Sequence, residues 1–224
     1  MKKVYLDNAS TTAMRPEVIQ VMVDCMAQDY GNPSSTHSLG RHAKSILELS
    51  RKSIAKALNA TAQEILFTSG GTEANNWILR SAVKDLKVRR IISSKMEHHA
   101  VLYPILELQK EFDIQVEYVE NSADGVLDLT HLVDLLSEST EKTLVSLMHV
   151  NNETGVVLDL ERVSQICQEH HALFHSDTVQ SVGKAILDLQ KVPIDFIVSS
   201  AHKFHGPKGV GFAFIRKNSG LQPL

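Results

Sequence analysis

A lysine stands among small, hydroxyl and imidazole residues at Ser199-Ser200-Ala201-His202-Lys203-Phe204-His205-Gly206-Pro207-Lys208-Gly209. Apolar runs flank it, Ile194-Asp195-Phe196-Ile197-Val198 before and Val210-Gly211-Phe212-Ala213-Phe214-Ile215 after. It therefore lies in a loop between two expected buried strands. Burial disfavours the charged form of an amine, so a lysine placed there can lose its proton and attack a carbonyl. Taken alone, the segment reads more simply as a solvated loop, because perturbed groups are a minority in surface loops. Four other loops bear on the choice.

Thr68-Ser69-Gly70-Gly71-Thr72-Glu73-Ala74-Asn75 joins an expected strand to an expected helix. Gly70 and Gly71 let the backbone approach a ligand closely, and free N–H groups at a helix start can hold a phosphate. The Lys-Ser/Thr ending of a P-loop is absent. A tight turn with Thr72 as cap explains the same residues equally well. Lys95-Met96-Glu97-His98-His99-Ala100 puts two histidines at a helix start without the His-Glu-x-x-His spacing of a zinc site. His98 could stack on a planar ring, or simply cap the helix. His149-Val150-Asn151-Asn152-Glu153-Thr154-Gly155 follows an apolar run, and its asparagines could bind a ligand's polar edge or make a turn. In His175-Ser176-Asp177-Thr178-Val179-Gln180-Ser181, Asp177 could pair with a protonated ring nitrogen or cap a helix. Gln180 reaches the same ligand if a helical turn follows.

Together the loops hold a phosphate cradle, a stacking imidazole, an amide, a carboxylate and an amine nucleophile. A phosphorylated pyridine aldehyde uses the whole set: the amine forms an imine, and the carboxylate keeps the ring nitrogen protonated so that the ring accepts electrons.

The elements that must position these loops alternate along the chain. Helices are expected over Pro16–Gln28, Arg41–Leu58, Thr72–Leu86, Ala100–Phe112, Leu129–Ser137 and Leu160–His170. Strands are expected over Val4–Leu6, Ile65–Thr68, Arg90–Ser93, Gln115–Val119, Thr143–Met148, Leu173–His175, Phe196–Val198 and Val210–Ile215. Gly31–Gly40 reads as a loop and Thr61–Glu64 as a capped turn. Most strands are continuous apolar runs, which implies cover on both faces. The fold class is therefore α/β: a three-layer α/β/α domain with a mostly parallel sheet, whose ligand lies at the carboxyl ends of the strands.

The chain has 224 residues, 43% hydrophobic and 22% charged, enough for one substantial core. Its net charge of -3 and lack of a basic run give no nucleic-acid footprint. No apolar run suits a secretory signal or a membrane span. Two distant cysteines, Cys25 and Cys167, make no disulfide framework, which fits a reducing cytoplasm.

The motifs then support a resemblance. Tyr5-Leu6-Asp7-Asn8-Ala9-Ser10-Thr11-Thr12, Gly31-Asn32-Pro33-Ser34-Ser35, Phe67 to Glu73, Met148 to Gly155, the Asp177 loop and Ser200 to Gly209 occur in order through nearly the whole chain. The sequence resembles the pyridoxal-phosphate-dependent cysteine desulfurases of the class V aminotransferase group. The resemblance implies an aspartate-aminotransferase-like large domain over residues 1–224, with residues 1–15 in an N-terminal arm or small-domain region. It implies that Lys203 holds pyridoxal 5'-phosphate covalently and that Asp177 pairs with the pyridine nitrogen. Gln180 would bond the ring hydroxyl, and His98 would stack and move protons. Gly71, Thr72, Ser200 and His202 would bind the phosphate, and Asn152 the cofactor or the substrate carboxylate. The implied reaction converts L-cysteine to L-alanine and leaves sulfur as a persulfide for iron–sulfur clusters or thiolated tRNA. The implied partners are a second subunit and a sulfur-acceptor protein.

Such enzymes continue into a smaller C-terminal domain bearing the nucleophilic cysteine and a carboxylate-binding arginine. Those features are expected to be missing here, leaving a fragment inactive alone, since Cys25 and Cys167 fall in helical patterns as inert thiols. Other readings are a selenocysteine lyase, an aminotransferase, a scaffold without cofactor, or a zinc site drawn from His98, His99, His170, His171, His202 and His205.

Overall fold

Short β-branched and aromatic runs, separated by amphipathic segments, leave each strand needing cover on both faces. A computed structural model, which describes residues 3–222, meets that need with three layers. Seven strands make one sheet: β1 (Ile65–Thr68), β2 (Arg90–Ser93), β3 (Gln115–Tyr118), β4 (Thr143–Ser146), β5 (Leu173–Asp177), β6 (Phe196–Ser200) and β7 (Gly211–Ile215). Their order is β1-β7-β6-β5-β4-β2-β3. Every position of β2, β4, β6 and β7 is buried.

Alternation along each strand assigns residues to the two faces. Phe196 and Val198 of β6, with Ala213 and Ile215 of β7, join a core cluster with Ala74, Ile78 and Ala82 of α3 (Gly71–Lys84) and Val101, Ile105 and Leu108 of α4 (His99–Phe112). Ile197, Phe212 and Phe214 point the other way. They pack in a second cluster with residues of α2 (Ser38–Ala57), α5 (Leu129–Ser137) and α6 (Leu160–Glu169). The remaining helix, α1 (Pro16–Gln28), starts at Pro16, whose missing N–H costs nothing in a first turn.

The sheet is parallel between β3, β2, β4, β5 and β6. β7 runs antiparallel to both of its neighbours, β6 and β1. The reason is chain length: residues 201–210 are too few for a parallel crossover, which takes about a dozen or more. That short return is the lysine loop, so the topology itself holds Lys203 at the carboxyl end of β6.

Two expectations change. Val4–Leu6 is not a strand. It has no neighbour to pair with, and Val4 and Leu6 remain exposed. Residues beyond it hydrogen-bond instead to the lysine loop, through Thr12 N to His202 O at 2.8 Å and Arg15 N to His205 O at 3.2 Å. α2 begins at Ser38 rather than Arg41, because His37 Nδ1 accepts from Gly40 N and serves as cap. Gly40 fits inside the helix because its α-carbon faces backbone: a Cβ there would meet Ser35 O at 2.4 Å. The turn at Thr61 is capped as expected, with its N–H and hydroxyl both donating to Glu64 Oε2 at 2.9 Å. No helix of the described residues is long and apolar enough to cross a membrane.

Candidate functional site

The loops that follow β1, β2, β4, β5 and β6 meet around a pocket of about 200 Å³. All nine residues expected to hold the cofactor line it: Gly71, Thr72, His98, Asn152, Asp177 and Gln180, together with Ser200, His202 and Lys203.

The turn between β1 and α3 is the narrowest part. Gly70 takes φ +155°, a backbone open to glycine and strained for other residues. A Cβ on Gly71 would sit 2.6 Å from Val179 Cγ2. Gly70, not Thr72, is the helix cap, and no side chain caps this end. The first-turn N–H groups and the exposed Thr72 hydroxyl are therefore available to an anion. Ser200, at the end of β6, brings its hydroxyl to 3.5 Å of the place where a Gly70 Cβ would be.

Asp177 ends β5 and is buried. Its Oδ2 accepts from Asn75 Nδ2 at 2.8 Å, and its Oδ1 from Val179 N at 3.0 Å. Burial raises its pKa, while these two donors and the charges of His98 and Lys203 oppose the rise. Asn75 was missed in the sequence: a mid-helix asparagine carries no local signal that it faces a carboxylate far along the chain.

Lys203 closes a 3₁₀ turn, Ala201–Lys203, just past β6. Its Nζ donates to the Ala9 carbonyl at 2.6 Å. Gln180 Nε2 donates to the same oxygen at 2.8 Å. Burial lowers the Lys203 pKa, and the nearby Lys184 charge lowers it further; Asp177 and Asp7 act in the opposite sense. His202 is held by the N-terminal segment, its Nδ1 bonding Thr11 Oγ1 at 3.1 Å and its carbonyl accepting from Thr12 Oγ1 at 2.8 Å. Burial and the charges of Lys203 and Lys208 depress its pKa.

His98 takes the capping role that its sequence position allows, and it also lines the pocket. It caps α4, with Nδ1 accepting from Ala100 N at 3.1 Å, and its ring forms part of the pocket wall. With Nδ1 as acceptor, the proton of the neutral ring sits on Nε2. The two asparagines divide their work. Asn152 lines the pocket, while Asn151 turns inward, accepting from Glu153 N and Thr154 N and donating to Met96 O, each at 2.9 Å. Among the described residues no group of three or more His, Cys, Asp or Glu is placed to hold a metal. Neither Cys25 nor Cys167 lines the pocket; Cys167 is buried and Cys25 partly so.

The donor set suits a phosphorylated pyridine aldehyde. A glycine-lined helix start without a side-chain cap faces Ser200 across a narrow gap, and a buried carboxylate and a lysine of depressed pKa share the pocket.

Comparison with known proteins agrees. The profile of the aminotransferase class-V family matches residues 4–224. A protein of Dictyoglomus turgidum named cysteine desulfurase IscS is 41% identical over 225 residues, covering 100% of this chain and 56% of the relative. A cysteine desulfurase of Cereibacter sphaeroides is 43% identical over 226 residues, covering 100% of this chain and 58% of the relative. The solved structure of a NifS-like protein superposes with a TM-score of 0.94 at 39% identity, covering 100% of this chain and 62% of that one. One described as SspA in complex with cysteine gives 0.93 at 32% identity, covering 99% and 64%. The chain thus spans a little over half the length of the curated relatives it matches, and its three-layer sheet is the aminotransferase-like fold. The chain belongs to the class-V aminotransferase family.

Proposed function

We propose that this chain is the cofactor-binding domain of a pyridoxal-phosphate-dependent cysteine desulfurase, which takes sulfur from L-cysteine, releases L-alanine and passes the sulfur on as a persulfide. The observation that carries the reading is the meeting of Lys203 and Asp177 in one pocket with an uncapped, glycine-lined helix start. The names of the relatives support the substrate.

Each residue then has a task. Lys203 Nζ is the covalent attachment point, and its lowered pKa raises the share of neutral, nucleophilic amine. Asp177 Oδ1 and Oδ2, each already holding one donor, present their remaining lone pairs to a ring N–H. Gly71, Thr72, Ser200 and His202 receive the phosphate, Gln180 bonds the ring hydroxyl, and Asn152 orients the cofactor or the substrate carboxylate. His98 covers one ring face and offers Nε2 for moving a proton. When bound, pyridoxal phosphate supplies the electron sink for the substrate carbon.

Residues 3–15 act in this reading as an arm over the lysine loop, supported by the Thr11, Thr12 and Ala9 bonds. The sulfur-accepting thiol would come from outside this chain, because neither of its cysteines lines the pocket. A homodimer fits α1, which buries none of its residues yet displays Val21 and Met26. Two cysteines without a disulfide fit a reducing cytoplasm, and the resemblance to cysteine desulfurases supports iron–sulfur cluster assembly or tRNA thiolation as the destination of the sulfur.

Titration with pyridoxal phosphate, followed by the absorbance of the lysine-bound form, tests the reading. The band should appear with the wild-type chain and be absent in Lys203→Ala. A band of equal size in Lys203→Ala would reject it.

A further inference from the structure

Adjacent residues in two pocket loops have different partners. His98 and Asn152 line the pocket, while their neighbours Glu97 and Asn151 do not. Glu97 is 5% exposed. Its Oε1 accepts from Met148 N at 2.6 Å, so the β2 loop grips the backbone of the β4 loop. Asn151 Nδ2 returns a bond of 2.9 Å to Met96 O, so the β4 loop grips the backbone of the β2 loop. Just below, Ser93 Oγ donates to Ser146 O at 2.9 Å and joins the two strand ends. The β4 loop is tied onward to the backbone of β5: His149 N donates to the Asp177 main-chain carbonyl at 3.0 Å.

We propose that Glu97 and Asn151 are positioning residues that brace the His98 loop against the Asn152 loop, and so fix the spacing of two walls of the cofactor pocket. The proposal rests on the cofactor reading above for its effect on binding, and on the paired hydrogen bonds alone for the brace.

The chemistry of Glu97 fits a brace better than a reacting group. Its Oε2 has no protein partner, and no lysine or arginine pairs with it among the described residues. Burial pushes its pKa well above the usual carboxylate range, and the charge of Asp177 adds to the rise. A neutral acid accepts the Met148 N–H without placing a second negative charge beside Asp177. An amide of the same shape keeps the accepting oxygen, so Glu97→Gln should preserve the brace. Glu97→Ala removes the acceptor and strands the Met148 N–H in the interior, and Asn151→Ala removes the opposite tie.

The test uses the whole 224-residue chain and the three variants. Two readings are taken: the dissociation constant of pyridoxal phosphate, and, without cofactor, the NMR resonance of the His98 imidazole. Glu97→Ala and Asn151→Ala should each weaken binding about tenfold, the effect of losing one buried hydrogen bond. Both should shift the His98 resonance, while Glu97→Gln stays within about twofold of wild type with His98 unmoved. Unchanged binding and an unchanged His98 signal in Glu97→Ala would overturn the proposal. Equal damage from Glu97→Gln would also overturn it, because the acceptor survives in that variant. If Glu97→Ala fails to fold, Asn151→Ala and Glu97→Gln decide in the same way. A wild-type chain that binds no pyridoxal phosphate would sink the cofactor reading alone, and the His98 resonance would still decide the brace.

Discussion

Replacing Asn75 by alanine tests whether its amide favours the ionised form of Asp177. Asn75 Nδ2 lies 2.8 Å from Asp177 Oδ2, and both residues are buried. A hydrogen bond to a charged group is worth about 1.5–3 kcal/mol, and one pKa unit corresponds to about 1.4 kcal/mol. Asn75→Ala should therefore raise the Asp177 pKa by about 1–2 units above its already raised value. Part of the stability loss is offset, because Asn75 Oδ1 has no partner and its removal relieves one buried unsatisfied acceptor. A net loss of about 1–2 kcal/mol follows where Asp177 is ionised. The sign of the pH dependence is fixed. The bond favours ionised Asp177, so the wild-type advantage is full above the raised Asp177 pKa of the variant and shrinks as pH falls from there through the wild-type value. Urea denaturation of both proteins at a series of pH values measures this, with Asp177→Asn as a second background. An equal loss at every pH, or an undiminished loss in the Asp177→Asn background, would show that Asn75 acts by packing and not through the charge.

Gly71→Ala should cost about 1–3 kcal/mol by overpacking against Val179, and Val179→Ala should recover most of the loss of pyridoxal phosphate affinity; calorimetric titration of the single and double variants decides. Incubated with pyridoxal phosphate and L-cysteine, this chain alone should release neither alanine nor sulfide, and Cys25→Ser with Cys167→Ser should change nothing; sulfide release abolished by either serine would contradict the site. Wild-type stability should decline relative to Glu97→Gln as pH rises through the folded pKa of Glu97, since a raised carboxyl pKa favours the fold only while protonated; chemical denaturation across pH reads this.

Much of the site was legible because its residues sit in loops bounded by unmistakable apolar runs. Isoleucine, leucine, valine and phenylalanine at 91–92, 144–145, 174 and 196–198 form the short apolar runs that mark strands. Loops after parallel strands converge at one end of a sheet, so Thr72, His98, Asn152, Asp177 and Lys203 could be grouped before their contacts were seen. Strand direction was less legible: periodicity in Val210–Ile215 carries no polarity, and the antiparallel course of β7 follows from the short return before it. Val4–Leu6 has a strand's composition but no neighbouring ladder, so tertiary context overrode propensity. The groups that hold the site residues were not legible at all. Asn75, Glu97, Asn151 and the Ala9 carbonyl act across separations that a single sequence does not encode.

The proposed function requires Lys203 to be the covalent anchor of a phosphorylated pyridine aldehyde. Borohydride reduction of the chain after incubation with pyridoxal phosphate, followed by peptide mass mapping, tests it directly. One pyridoxyl group is expected on the peptide containing Lys203, with Lys95, Lys184 and Lys208 unlabelled at stoichiometric cofactor. Labelling spread evenly over the surface lysines, or concentrated at any lysine other than Lys203, would contradict it.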